Sequence, residues 1–337
     1  MPVLTTLVGA LPKCAYSPKL TSRDNFGVPE LFLPEMERFL RCHTKEDYFE
    51  IETFQAVLRQ VQMELDILTE GELRREQYWR YNCLYFDGID IVDGRVTVTG
   101  PVTHSRPMLV VDWQRAQQYT DRPVKMALAG PSTLLGPSHL KDEYYGNRKA
   151  LHFDLAQAIN VEVRALANAG CTWIQLDEPR LGYEPRAAVE YGIEALDVCF
   201  AGVPVGIERI VHICRGYASV DGDQGGRNPA DPYHLLADAL ENSCATIVSL
   251  EAAAEGFDLS LLDRFKETKI MLGFISNLSS EVETVDDIRA RIEAALDHIE
   301  ADRLIASSDC GFANFLDVES TPVWRKVWNL VQAAKSL

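Results

Sequence analysis

The sequence is poor in basic residues relative to acidic ones. It contains 33 lysines and arginines against 50 aspartates and glutamates, so its formal net charge is -17. Proteins that bind nucleic acid or anionic lipid do so through concentrated positive charge. The charge balance therefore excludes both partners: we expect no nucleic acid and no membrane surface.

Long apolar runs and low-complexity stretches are absent as well. No segment reaches the roughly 20 apolar residues that a membrane-spanning helix needs. The first residues, MPVLTTLVGALPKC, lack the basic region, apolar stretch and cleavage site of a secretory signal. We therefore expect a cytoplasmic protein.

Cysteines are present, but no two of them have the CxxC spacing. They lie at positions 14, 42, 83, 171, 199, 214, 244 and 310. This spacing excludes a zinc ribbon or finger, whose ligands come in close pairs. Free thiols in a reducing compartment are expected rather than disulfides. Any metal site must be assembled from distant segments.

The sequence does contain a regular alternation of short aliphatic runs with longer stretches of helical period, which is typical of a parallel α/β fold. Helices are predicted at 46–66, 148–168, 231–240 and 286–299. Eight strands are predicted, the number in a TIM barrel: TTLVG (5–9), ILTEGE (67–72), VKMALAGP (124–131), WIQLDEP (173–179), RIVHICR (209–215), ATIVSLE (245–251), KIMLGFI (269–275) and LIASSDCG (304–311).

These elements predict a single (β/α)8 TIM barrel that occupies residues 1–337 as one catalytic domain. A length of 337 residues would also suit two smaller domains, but a barrel with insertions commonly fills it. The segment GRVTVTG (94–100) is predicted to belong to a small β-hairpin that decorates the barrel.

Five predicted strands end in polar clusters: TEGE, LDEP, HICR, SLE and SSDCG. Polar residues follow strands in any protein, so a single cluster would mean little. The active site of a TIM barrel lies at the carboxyl ends of its strands. Five clusters within an eight-strand pattern therefore favour a site there.

Four of these residues have the donor atoms of a zinc site. His212 and Cys214 are two apart on one strand and so point to the same face. Glu251 ends the next strand, and Cys310 follows the eighth. One imidazole, two thiolates and one carboxylate suit tetrahedral Zn²⁺.

The charge of that ligand set indicates its chemistry. Two thiolates and a carboxylate leave the ion a poor Lewis acid for activating water, but suited to lowering the pKa of a substrate thiol. Alkyl transfer to sulfur is therefore expected, with Glu251 as the ligand that yields to substrate. Each residue alone is more often part of a core, and four protein ligands are also typical of structural zinc, so a non-catalytic barrel remains an alternative.

The chain resembles the C-terminal catalytic domain of cobalamin-independent methionine synthase. The matching segments run in order along nearly the whole chain: TTLVGALP (5–12), LTEGELRREQYW (68–79), RPVKMALAGPSTLL (122–135), WIQLDEP (173–179), IVHIC (210–214), VSLE (248–251) and SSDCGF (307–312). The resemblance implies that His212, Cys214, Glu251 and Cys310 are zinc ligands.

The resemblance also implies a small-molecule substrate. Glu72 and Asp177 match the carboxylates that hold the amino group of homocysteine, and Gly9 lies at the substrate. Asp177 and Glu251 are the expected catalytic residues. The alternative for Glu72 is a helix cap or an ion pair with Arg74.

Three positions depart from the family pattern, all near the substrates. Ala10 stands where a serine helps to bind the amino acid, Pro137 where a tryptophan stacks on folate, and Leu278 where a histidine shuttles a proton. The methyl donor therefore stays open between methyltetrahydrofolate and methylcobalamin or another corrinoid, with a corrinoid carrier protein as a candidate partner. The HICRG run is also similar to epoxyalkane:coenzyme M transferases, so alkyl transfer from an epoxide to a thiol such as coenzyme M is an alternative.

Overall fold

The computed structural model describes residues 3–12, 44–75, 77–216, 230–253, 257–315 and 321–337. Its centre is a sheet of eight strands in which every neighbouring pair is parallel. The strands are β1 Leu4–Thr5, β2 Leu68–Thr69, β5 Val124–Ala129, β7 Trp173–Asp177, β8 Glu208–Ile213, β9 Ile247–Leu250, β10 Lys269–Ile275 and β11 Leu304–Ser308.

The two edge strands of this sheet, β1 and β2, lie side by side. The backbone N–H groups of Asp66 and Ile67 donate to the carbonyl of Thr5 at 3.2 and 3.1 Å, and Leu11 N–H donates to the carbonyl of Gly71 at 3.0 Å. The edges of the sheet are thereby joined. The predicted α/β fold, a (β/α)8 TIM barrel, is confirmed.

Helices connect the strands and cover the barrel. The capping box of Thr44 and Asp47 starts the first helix, and the left-handed Gly170 (φ +105°) ends the longest one. The helices are α1 Lys45–Gln62, α2 Tyr78–Cys83, α3 Val110–Gln117, α4 Pro131–Leu134, α5 Arg148–Ala169, α6 Pro179–Tyr183, α7 Pro185–Ala187, α8 Ile193–Cys199, α9 Pro232–Glu241, α10 Val285–Leu296 and α11 Thr321–Lys335.

The predicted hairpin is present and larger than its sequence signal. Strands β3 (Phe86–Val92) and β4 (Arg95–His104) pair antiparallel around Asp93 and Gly94, which both have positive φ. A short strand β6 (Lys141–Asp142) adds to β4 in parallel. No helix of the described ranges is both long and apolar enough to cross a membrane.

The side chains inside the barrel become more polar toward the carboxyl ends of the strands. Near the amino ends Ile210, Ile247 and Ile305 pack with Val8 and Met271 in an apolar cluster. Because strand side chains alternate with period two, the next inward positions on the three isoleucine strands are those of His212, Ser249 and Ser307. A further two residues along stand Cys214, Glu251 and Asp309. The apolar layer thus closes the floor beneath a polar barrel mouth.

We predict that Glu162→Gln destabilises the junction between hairpin and barrel. The buried Glu162 carboxylate on α5 accepts hydrogen bonds from the backbone N–H groups of Met108 and Leu109, at 2.8 and 2.6 Å, and contacts His104 Nε2 at 2.8 Å. A glutamine side chain lacks the negative charge of the carboxylate. Its NH2 group would also face the backbone N–H donors of Met108 and Leu109. The free energy of unfolding in urea should fall by about 1.5–3 kcal/mol. Exposed Glu194→Gln is the control, and equal stability of the two variants would contradict the role of Glu162.

Candidate metal centre and substrate cavity

The structure brings three of the four predicted metal ligands together at the barrel mouth. His212 lies on β8, Cys214 directly follows that strand, and Cys310 follows β11. The possible ligand atoms of the three lie within 4.8 Å of one another, and all three residues are buried. The pleat delivers the first two to one face, and the closed barrel brings Cys310 to them from a distant part of the chain.

The imidazole of His212 is oriented for coordination. Its Nδ1 lies 2.9 Å from the hydroxyl of Ser249, the residue beside it in the register of β8 and β9. Its Nε2 is buried and has no hydrogen-bond partner among the described residues. Burial, reinforced by the charge of Lys125, lowers the pKa of His212 to about 3, so the ring is neutral, as a metal ligand must be.

The two sulfur atoms cannot both ionise without a positive partner. The pKa of Cys310 is raised well above its ordinary value by the neighbouring Cys214 side chain, by burial and by the charge of Glu251. A divalent cation among these groups would offset that repulsion and make both thiolates available. The donor set and the buried Nε2 therefore fit a zinc ion.

Glu251, the fourth predicted ligand, stands apart from these three. It is fully buried and its charge acts on Cys310, but no oxygen of its carboxylate lies within 4.8 Å of all three other ligand atoms. The backbone after it is held by Asp309, whose Oδ1 accepts hydrogen bonds from Ala252 N–H and Ala253 N–H, both at 2.8 Å. The segment that carries Glu251 is thus fixed to the residue before Cys310.

A cavity of about 640 Å³ opens onto the three clustered ligands. Two carboxylates from other strands reach the same space. Its walls are formed by Val8, Ala10, Glu72, Gln77, Tyr78, Trp79, Arg80, Ser138, His139, Asp177, Pro179, Tyr183, His212, Cys214, Gly216, Cys310, Gly311 and Ala313. The predicted metal ligands and the carboxylates therefore share one cavity.

Glu72 and Asp177 form a pair of buried acids in that cavity. Burial and the charge of Glu72 raise the pKa of Asp177, which accepts a hydrogen bond from Gln175 at 2.6 Å. Glu72 has a φ of +55°, a conformation that glycine favours and glutamate rarely adopts. Such strain at a cavity wall is typical of a functional residue.

The absence of a side chain at Gly9 leaves space for the Glu72 carboxylate. A Cβ atom at Gly9 would lie 2.6 Å from Glu72 Oε1. The alternative pairing of Glu72 with Arg74 is not found, because Arg74 contacts Glu46 at 2.6 Å and Asp112 at 3.4 Å instead. The arginine nearest to Glu72 is Arg75, at 3.9 Å.

Several residues of the site were missed from the sequence. Lys125 is fully buried and donates to the carbonyl of Val8, at 2.7 Å, and to Gln175. Burial lowers its pKa, while the charges of Asp177 and Glu72 oppose that shift. A lysine within the otherwise apolar strand VKMALA was the signal available in the sequence.

The other wall of the cavity is aromatic. The rings of Trp79 and His139 are stacked, with centroids 4.3 Å apart and an interplanar angle of 17°. The guanidinium of Arg80 lies 5.3 Å from the centroid of Trp79. Of the three positions that depart from the family pattern, Ala10 lines the cavity, whereas Pro137 and Leu278 are not among its lining residues.

Comparisons with known proteins identify the family of this chain. The profile of the family described as "Cobalamin-independent synthase, Catalytic domain" matches residues 5–336. A methionine synthase of Thermococcus kodakarensis is 26% identical over 328 residues, which cover 92% of this chain and 87% of that protein. A 5-methyltetrahydropteroyltriglutamate–homocysteine methyltransferase of Nitrobacter winogradskyi is 27% identical over 361 residues, 99% of this chain but 42% of the longer protein.

Solved structures share the fold. A B12-independent methionine synthase from Shewanella sp. W3-18-1, in complex with selenomethionine, has a TM-score of 0.83 at 24% identity, with coverage of 100% of this chain and 98% of that one. A methyltransferase from Methanosarcina mazei has a TM-score of 0.62 at 14% identity, with coverage of 99% and 94%. At sequence identities of 24% and 14%, the structural similarity shows that the fold is shared.

We predict that Ser249→Ala weakens zinc binding by about 10- to 100-fold, because the Ser249 hydroxyl lies 2.9 Å from His212 Nδ1 and would orient the ring for coordination. Competition with a chromophoric chelator measures the affinity. The control is Ser307→Ala on β11, since the buried Ser307 hydroxyl has no hydrogen-bond partner among the described residues. Equal zinc affinity in the two variants would exclude the orienting role.

Proposed function

The chain belongs to the family of cobalamin-independent synthase catalytic domains, and we propose that it is a zinc-dependent S-methyltransferase whose acceptor is homocysteine or a similar small amino thiol. The observation that carries the proposal is one cavity lined both by His212, Cys214 and Cys310 and by the acids Glu72 and Asp177. The histidine and the two cysteines suit a metal ion that binds the substrate sulfur as a thiolate. The two acids suit the ammonium group of the same substrate molecule.

We propose that His212, Cys214 and Cys310 would hold the ion, with Glu251 as a fourth ligand that the substrate sulfur replaces. A bound Zn²⁺ lowers the pKa of a thiol while keeping its sulfur nucleophilic. The separation of Glu251 from the other three in this structure supports its role as the exchangeable ligand. Asp309 keeps the backbone beside Glu251 in place.

The cavity favours an enzyme over a barrel with structural zinc. Structural sites are closed by four protein ligands, whereas the three clustered ligands here border a cavity of about 640 Å³. That space accommodates a substrate at the ligand atoms. A structural ion would need no such opening.

The carboxylate pair favours an amino thiol over coenzyme M. Coenzyme M carries a sulfonate in place of an ammonium group, and two buried carboxylates would repel it. An ammonium group would instead be attracted by the two carboxylates. We therefore favour methyl transfer over opening of an epoxide by coenzyme M.

In the proposed reaction the substrate sulfur attacks the methyl carbon of the donor. The carbon–sulfur bond forms as the bond from methyl to donor breaks, and its electron pair leaves with the donor. Glu72 and Asp177 contribute by fixing the amino end of the acceptor, so that the sulfur is positioned for in-line attack. Burial of the cavity walls strips water from the nucleophile.

The donor is proposed to be methyltetrahydrofolate or a methylated corrinoid, the latter presented by a carrier protein. The stacked wall of Trp79 and His139 offers a flat aromatic surface for a planar donor. The reaction is proposed to take place in the cytoplasm, where thiols stay reduced; the described cysteines are all free.

We predict that Cys214→Ser and Cys310→Ser each remove zinc and methyl transfer together. Loss of one ligand should lower metal content and activity by at least about 100-fold, since even residues that only orient ligands are worth 10- to 100-fold. Metal content is measured by atomic emission, and activity with homocysteine and either methylcobalamin or methyltetrahydrofolate. Cys244→Ser is the control, because this half-buried cysteine lies outside the cavity. Full activity in metal-free protein would end the proposal.

We predict that Gly9→Ala and Glu72→Gln weaken binding of homocysteine without lowering zinc content. The first displaces the Glu72 carboxylate and the second removes its charge, and either change costs a charged hydrogen bond, about 10- to 100-fold in Kd. Calorimetry on zinc-loaded protein measures the affinity. Homocysteine lacking its amino group should bind both variants as well as it binds the wild type. If that analogue loses affinity equally, Glu72 does not bind the ammonium group.

A further inference from the structure

Tyr78 lines the cavity and has no role in the reaction described so far. It begins α2, its ring packs partly against the core, and its side chain faces the same space as the clustered ligands and the carboxylate pair. The motif LTEGELRREQYW contains it, but sequence analysis assigned it no role. No hydrogen bond of its hydroxyl is found within the described parts of the chain.

Both charged groups of the cavity act on this hydroxyl. The pKa of Tyr78 is raised well above its ordinary value, first by burial and then by the charges of Cys214, Asp177, Cys310 and Glu72. Tyr78 thus borders the same cavity as the sulfur cluster and the carboxylate pair. A tyrosine hydroxyl can donate a hydrogen bond into that space.

An amino-acid substrate also needs a hydrogen-bond donor for its carboxylate. Its carboxylate is attached to the carbon that carries the ammonium group, so binding of the ammonium by Glu72 and Asp177 brings the carboxylate toward two acids. The side chain of Ala10, which also lines the cavity, is a methyl group and cannot donate. A buried carboxylate without a hydrogen-bond donor would be strongly disfavoured.

Two other donor side chains of the cavity, His212 and Arg80, have partners elsewhere. His212 is committed to Ser249 through Nδ1. Arg80 stacks on Trp79, and its charge acts on His139 on the aromatic wall, whereas it is not among the main charges acting on Tyr78. Tyr78 offers a neutral hydroxyl that lines the same cavity as both charged groups.

We propose that the Tyr78 hydroxyl donates a hydrogen bond to the carboxylate of the acceptor, and that it makes the cavity selective for an amino acid over a simple aminoalkyl thiol. The inference rests on the proposed function, because it assumes that an amino thiol binds with its sulfur at His212, Cys214 and Cys310. Tyr78 is then a specificity-determining residue that touches the end of the substrate remote from the reacting sulfur.

The test compares Tyr78→Phe with the wild type on two ligands, homocysteine and its decarboxylated analogue, an aminoalkyl thiol of the same length. Dissociation constants are measured by calorimetry on zinc-loaded protein. The variant should bind homocysteine about 10- to 100-fold more weakly, as expected for loss of a hydrogen bond to a charged group, and should bind the analogue like the wild type. Phenylalanine keeps the ring, and zinc content and melting temperature verify that the site and fold are retained.

Tyr183→Phe is the matched control. Tyr183 also lines the cavity, but its hydroxyl donates to the carbonyl of Arg215 at 3.2 Å, so this variant should bind both ligands normally. Equal loss of both ligands in Tyr78→Phe, or no loss of either, would overturn the inference while leaving the proposed function intact. Failure of zinc-loaded wild-type protein to bind either ligand would overturn both, and the wild-type measurement alone reveals that outcome.

Discussion

Repulsion among buried acidic groups is the constraint around which the barrel mouth is organised. Glu72, Asp177, Cys214, Glu251 and Cys310 are all buried there. In a medium of low dielectric their negative charges would repel one another strongly. The pKa values of Asp177 and Cys310 are raised for this reason as well as by burial. Positive charge is therefore what this end of the protein lacks.

The protein supplies part of that charge from within. Lys125 lies inside the barrel against Val8 and Gln175, and Arg75 pairs with Glu70 and approaches Glu72 at 3.9 Å. The remainder is left for ligands. A metal ion at the sulfurs and an ammonium group at the carboxylates would each relieve one part of the repulsion, so the proposed cofactor and substrate follow from the same imbalance.

The rigid apolar core of the barrel and its chemically active groups lie in different layers along the strands. Its floor is an apolar cluster around Ile210, Ile247 and Ile305, and the chemically active groups stand two to four residues further along the strands. Supporting contacts such as that of Ser249 with His212, and of Asp309 with the backbone after Glu251, fix these groups from other strands of the sheet. The cavity can therefore hold strained or charged residues, including the left-handed Glu72, without disturbing the core.

The sequence by itself determined the strand pattern, the pairing of His212 with Cys214 on one face and the donor types of the site, because these follow from the period of a strand and the chemistry of single residues. The boundaries of the four predicted helices agree to within a few residues, whereas α2–α4, α6–α8 and α11 were not predicted. Only the tertiary structure decided that Glu251 stands apart from the other three predicted ligands, that Gly9 makes room for Glu72, and that Lys125 and Tyr78 face the same acids. These contacts are between residues far apart in the chain. The distances between the side chains depend on how the sheet closes and twists, and a local sequence pattern contains no information on either.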